Sequence, residues 1–222
     1  MNTAAARATA EFTGTALLLA VIVGSGIMGE RLSAGNAAVA LLANSLATGA
    51  GLYALISAFA GISGAHFNPI VTLSGAWLRR MPGKLVLPYI AAQCLGAIAG
   101  VIAAHFMFEL PLYSASRHAR TGVAQWFSEA AASFGLLTVI FCCSKHKPAA
   151  VPAAVGAYIT AGYWFTSSTS FANPAVTIAR SLTDTFTGIR PLDAPGFIIA
   201  QLAGCVLAVV FLRKITGDYS VS

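Results

Sequence analysis

Long apolar runs separated by short basic clusters dominate the chain. No ionisable side chain falls in residues 12–29, and His66 is the exception in residues 32–78. Further apolar runs cover residues 85–107, 125–144, 148–178 and 194–212. A membrane-crossing helix needs about 20 apolar residues, so most of these runs fit one span each. The runs 32–78 and 148–178 exceed one span and fall short of two. Each therefore reads as a full helix plus a shorter apolar insertion. The pattern predicts an all-α membrane protein with six spans, at roughly 9–29, 35–60, 86–108, 126–144, 150–167 and 195–213.

Composition removes the soluble alternatives. Only 9% of the 222 residues are charged and 57% are hydrophobic, whereas a soluble domain carries about a quarter charged residues. The net charge of +6 does not point to nucleic acid, because of where the cations sit. Arg7, Arg79, Arg80, Lys84, Lys145, Lys147, Arg213 and Lys214 all fall on one side of a six-span layout. Arg31, Arg117, Arg120, Arg180 and Arg190 fall on the other. The richer side, with both termini, is expected in the cytoplasm, which implies a cell inner (plasma) membrane protein. The first apolar run is longer than a cleavable signal's core and has Glu11 near its start, so it reads as a span. Cys94, Cys142, Cys143 and Cys205 lie inside apolar runs without ligand spacing and read as packing residues. No metal site or cofactor is expected. No Ser-His, His-Glu-x-x-His or paired-Asp arrangement points to an enzyme.

The chain repeats itself. Span one starts with Ala10-Glu11-Phe12-Thr13-Gly14, and span four carries Ser128-Glu129 with Phe134-Gly135 after it. Gln93-Cys94-Leu95-Gly96 in span three answers Gln201-Leu202-Ala203-Gly204 in span six. Between these landmarks stand Asn68-Pro69-Ile70-Val71-Thr72 and Asn173-Pro174-Ala175-Val176-Thr177. The expected organisation is one membrane domain, 1–222, built of halves near 1–115 and 116–222. Three spans per half invert the second copy, as in pores and transporters built around the bilayer midplane.

Asn-Pro is a helix-start signal: Asn caps and Pro fits the first turn. Each copy follows a small, flexible stretch and precedes about ten residues able to form a half-helix, the first expected to end at Arg79-Arg80. Irregular backbone at membrane depth survives only inside protein or beside a water-filled cavity. Two half-helices entering from opposite sides would point positive N-terminal ends at each other. That field repels cations, while the two Asn amides donate to a passing oxygen. The arrangement suits a small neutral solute.

These motifs resemble the aquaporin, or major intrinsic protein, family along essentially the whole chain. The carriers are residues 10–15, Ser63-Gly64-Ala65-His66-Phe67-Asn68-Pro69, Gln93-Cys94-Leu95-Gly96, Glu129 and Asn173-Pro174-Ala175. The resemblance implies six spans, two re-entrant half-helices and a homotetramer with one pore per subunit. It makes Asn68, Pro69, Ile70, Asn173, Pro174 and Ala175 the pore-lining motifs, with His66 in the cytoplasmic vestibule. Glu11 and Glu129 would hold the re-entrant backbone, and an acid inside a span does need a partner. Most members carry Arg directly after the second motif, where this chain has Val176. By family spacing the remaining filter positions are Thr48, Ala161 (with Gly162 as substitute) and Ser170.

Such a filter is wide and uncharged. It implies passage of water, glycerol-like polyols and metalloid hydroxides such as arsenite. The chain also resembles a bacterial subgroup with Val at this position that is associated with arsenic resistance. A water-selective pore and a secondary transporter are the alternatives. The transporter lacks a coupling site, since Glu11 and Glu129 are already assigned. Arg180 lies one turn beyond Val176 on the same face. It either adds a positive charge at the outer vestibule or pairs with Asp184 at the surface, and the sequence favours the pairing.

Overall fold

A computed structural model of the protein describes residues 3–216. Its elements are α1 (Ala4–Leu32), α2 (Ala37–Ser63), α3 (Pro69–Trp77), α4 (Val86–Met107), α5 (Val123–His146), α6 (Val151–Phe165), α7 (Pro174–Arg180) and α8 (Ala194–Thr216). Among the described residues, five helices are long and apolar enough to cross a membrane: α1, α2, α4 with its preceding turn, α5 and α8. The sixth predicted span is shorter. α6 has 15 residues, preceded by a 3-10 turn at Pro148–Ala150. At 1.5 Å per residue, α6 rises about 22 Å.

Local sequence sets the ends. Asn36 Oδ1 accepts from the Ala38 amide at 3.0 Å and starts α2. Gly64, with φ of 92°, ends α2 in the left-handed conformation that suits a residue without Cβ. The half-helices begin at the Asn-Pro pairs, as the motif predicts. α3 stops at Trp77, a little before the expected Arg79-Arg80.

Packing is related pairwise between the halves. α1 lies against α4 and α2, and α5 against α8 and α6. Each half-helix touches both its own last helix and the other half's, and α3 meets α7. Close helix approach depends on matched glycines. A Cβ on Gly96 would sit 2.3 Å from the Phe12 carbonyl oxygen, and one on Gly204 would sit 2.3 Å from that of Ala130.

The polarity is inverted relative to a soluble protein. Leu87, Phe106, Phe127 and Leu207 are exposed, while Glu11, Gln93, Glu129 and Gln201 are fully buried. Apolar side chains outward and paired polar groups inward is the solution a hydrocarbon solvent demands.

Candidate functional site

The two re-entrant segments lead from α2 to α3 and from α6 to α7. Their backbones turn through non-glycine residues at positive φ: Ala65 (51°) and Phe67 (50°) in the first, Ser170 (51°) and Ala172 (46°) in the second. Left-handed backbone at a residue with a Cβ costs about 1–2 kcal/mol, so something must hold these turns. The buried acids are placed to do so. Glu11 Oε1 accepts from the His66 amide at 2.9 Å and Ser63 Oγ at 2.6 Å, and Oε2 from the Phe67 amide at 2.7 Å. Glu129 accepts from the Phe171 amide at 2.9 Å and the Ala172 amide at 2.8 Å. Gln93 and Gln201 complete the two sets, donating to Glu11 at 2.8 Å and to Glu129 at 2.6 Å. The same two amides also donate to Thr72 and Thr177, each at 2.9 Å.

The motif asparagines cap and cross-link. Asn68 Oδ1 accepts from the Ile70 amide at 3.0 Å, and Asn173 Oδ1 from the Ala175 amide at 3.0 Å. Asn68 Nδ2 donates to the Ala172 carbonyl and Asn173 Nδ2 to the Phe67 carbonyl, each at 2.8 Å. Each loop thus anchors the other's asparagine. An amide NH₂ has two hydrogens. One is used in the cross-link, and among the described residues the second has no acceptor. Both asparagines line a cavity of about 210 Å³.

Helix periodicity decides what else reaches that cavity. Asn68, Val71 and Gly75 form one stripe on α3, and Asn173, Val176 and Arg180 the equivalent stripe on α7. Pro69, Ile70, Pro174 and Ala175 are buried but lie off these stripes and do not line the cavity, which corrects their assignment as pore-lining residues. Ile70 instead packs into an apolar cluster with Leu137 and Leu212. One end of the cavity is bounded by His66, Arg80, Met81 and Ser144, the other by Thr48, Tyr163, Ser170, Phe171 and Arg180.

Three of the four expected filter residues, Thr48, Ser170 and Val176, line the cavity together. Ala161 does not: it is exposed on the outer face of α6. Gly162, its substitute, is buried behind Ser170, whose Oγ lies 2.6 Å from where a Gly162 Cβ would be. The face of α6 that reaches the cavity carries Val155, Ile159 and Tyr163. Tyr163 was not among the expected residues. Its hydroxyl shares a hydrogen bond with Thr48 Oγ1 at 3.1 Å. A four-residue stripe from Val155 was the readable signal. A fixed count back from Asn173 missed it.

Arg180 is placed differently from the expected surface pairing. It is only 2% exposed and lines the cavity. Asp184 pairs instead with Arg117, at 3.6 Å. The Arg180 guanidinium lies 3.4 Å from the centroid of the Phe171 ring, and its Nε donates to the Thr187 carbonyl. The loop between α4 and α5 adds a residue the sequence did not single out. Arg120 donates to the carbonyls of Gly188 at 2.8 Å and Ser168 at 3.3 Å, and stands 5.2 Å from the same ring. Burial lowers the Arg120 pKa, with Glu129 and Tyr163 acting the other way. This loop is tied to the segment after α7 by Ser114 and Ser116 amides donating to Leu182 and Ser181, each at 3.1 Å. Nearby, Asp193 accepts from Arg190 at 2.9 Å.

Apolar helices that hold two capped half-helices end to end beside a polar-striped cavity define a membrane channel. The comparisons agree. A family model described as "Major intrinsic protein" matches residues 2–166 and 144–222. Aquaglyceroporin AqpS of Rhizobium meliloti (strain 1021) is 53% identical over 207 residues, covering 93% of this chain and 88% of that protein. Aquaporin AqpM of Methanothermobacter marburgensis is 30% identical over 248 residues, covering 96% and 98%. The X-ray structure of the aquaglyceroporin from Plasmodium falciparum shares the fold, with a TM-score of 0.69 at 23% identity, covering 97% and 98% of the two chains. The chain belongs to the major intrinsic protein family and is a multi-pass membrane channel, not an enzyme.

Proposed function

We propose that the protein is a passive pore for water and small uncharged hydroxylated solutes, glycerol and undissociated arsenite among them. The observation that carries this reading is the pairing of Asn68 and Asn173, each with one unclaimed amide hydrogen, beside a cavity whose stripe continues through Val176. A hydroxylated solute replaces its lost hydration with those donors and slides along Val71, Leu52 and Ile159 between them. The facing half-helix N-termini oppose cations. Aquaglyceroporins among the relatives and fold neighbours favour polyol passage. Metalloid hydroxides follow by chemistry, since arsenous acid presents three hydroxyls on a neutral, glycerol-sized core.

In this reading Thr48, Ser170, Val176 and Tyr163 form the filter, His66 belongs to the cytoplasmic vestibule, and Glu11 and Glu129 hold the loops. The halves near 1–115 and 116–222 form an inverted repeat. The working form is a homotetramer in the inner (plasma) membrane with both termini cytoplasmic. Tyr163 and Arg180 favour a tighter, water-selective alternative, because both narrow the outer end. Stopped-flow light scattering on proteoliposomes with water, glycerol, urea and arsenite separates the two. Glycerol and arsenite fluxes well above empty liposomes support the broad pore. Water flux alone supports the selective one.

A further inference from the structure

We infer that Arg180 is a displaced filter cation. Set one helical turn beyond Val176, it supplies the charge that rejects cations at the outer mouth and the donors that engage a permeant's hydroxyls. The inference rests on the channel reading above.

Burying an arginine is costly unless its charge has a use or a partner. Arg180 is buried, yet among the described residues no carboxylate lies within ion-pairing distance of it. Its placement on the cavity stripe is set by spacing: Asn173, Val176 and Arg180 share a face. The equivalent position on α3 is Gly75, so the charge is specific to the outer end. Two contacts fix the guanidinium. Its plane is held over Phe171 at 3.4 Å, and its Nε is bound by the Thr187 carbonyl. Thr187 is itself braced: its hydroxyl meets Thr185 at 3.5 Å, Thr185 meets Thr183 at 2.9 Å, and Thr183 meets His105 Nε2 at 2.7 Å. A Cβ on Gly26 of α1 would sit 2.4 Å from the Thr187 side chain, so α1 closes on this segment from behind. Arginine has five N–H donors. With Nε committed, the terminal nitrogens remain for oxygens in the pore. Ser170 stands in the same wall with a buried Oγ that has no partner among the described residues. An arginine in a narrow passage is a recognised barrier to protons and cations. Arg120, on the same aromatic ring, adds to the positive potential.

The test uses purified protein in proteoliposomes with an internal pH dye and the voltage clamped by valinomycin and K⁺. Arg180→Met keeps length and burial but removes the charge. It is expected to raise proton leak by about tenfold or more relative to the variant's own water flux. Adding Val176→Arg to that variant returns a cation one turn inward and is expected to restore the barrier. Arg180→Lys is expected to keep the barrier but change the glycerol-to-water flux ratio by about twofold, because an ammonium cannot lie flat on Phe171. A folded, water-conducting Arg180→Met with parental leak overturns the inference. So does an Arg180→Lys with an unchanged flux ratio, which decides the matter if the Met variant does not fold. A parent protein that conducts no water or solute instead overturns the channel reading itself.

Discussion

Removing the Glu129 carboxylate should collapse the second re-entrant loop. In Glu129→Ala the amides of Phe171 and Ala172 lose their acceptor at 2.9 and 2.8 Å, and Gln201 Nε2 keeps only its bond to Thr177 at 2.9 Å. The site is fully buried, so water does not replace the lost oxygens. Each of the two orphaned amides costs about 1–3 kcal/mol, which makes the expected loss about 2–6 kcal/mol. For a chain of this size that is a fall in melting temperature on the order of 10 °C. Function should suffer too. Ser170 and Ala172 are held at positive φ by this anchor, and the Ala172 carbonyl receives Asn68. Glu129→Gln should be milder, at about 1–2 kcal/mol, because one acceptor oxygen survives and Gln201 can turn its unpartnered Oε1 toward the new amide. The assay is thermal unfolding in detergent by fluorescence-detected size exclusion, alongside water flux by stopped flow. An alanine variant with parental melting and parental flux would refute the claim that this carboxylate holds the loop.

Three further outcomes follow from the same geometry. Asn173→Asp places a negative charge where the cross-link and free donor now sit, and should admit cations, read as Na⁺ or proton flux in proteoliposomes. Equal cation and solute permeabilities in variant and parent would remove the asparagines from the pore. Val176→Arg in the parent background should reduce glycerol and arsenite flux by about tenfold or more relative to water, because a second guanidinium then shares the stripe with Arg180 one turn away; an unchanged ratio means position 176 does not set the cutoff. Gly96→Leu drives a side chain into the Phe12 carbonyl, with its Cβ alone at 2.3 Å. It should abolish the folded species in size exclusion, whereas Leu95→Ala on the exposed face of the same helix should change melting little.

Periodicity and duplicated motifs made much of this architecture legible. The apolar runs located the long helices, and the two Asn-Pro pairs located the half-helix starts, because capping chemistry is local. Geometry that depends on a turn's path was harder to read. Counting back from Asn173 put Ala161 in the filter, but Ala161 lies on the exposed face of α6 and the stripe from Val155 faces inward. Tyr163 and Ile159 therefore reach the cavity instead. Ile70 was placed with its motif rather than with its helix face, which turns it away from the cavity. The Arg180–Asp184 pairing had sound i+4 spacing, but α7 ends at Arg180, so the helix that would have brought the two together is absent. Asp184 meets Arg117 across loops far apart in sequence. Arg120 left no local signal, since its position depends on how the loop between α4 and α5 crosses the outer end.

The central claim is passive conduction, and the dependence of glycerol flux on its concentration tests it most directly. Proteoliposomes are loaded without ion gradients, and initial flux is followed from low to high glycerol in both directions. The structure predicts flux proportional to concentration, reversing with the gradient and indifferent to ionophores, because a fixed pore with Asn68 and Asn173 at its centre needs no conformational cycle. Saturation at low concentration, or a requirement for a proton or Na⁺ gradient, would contradict it.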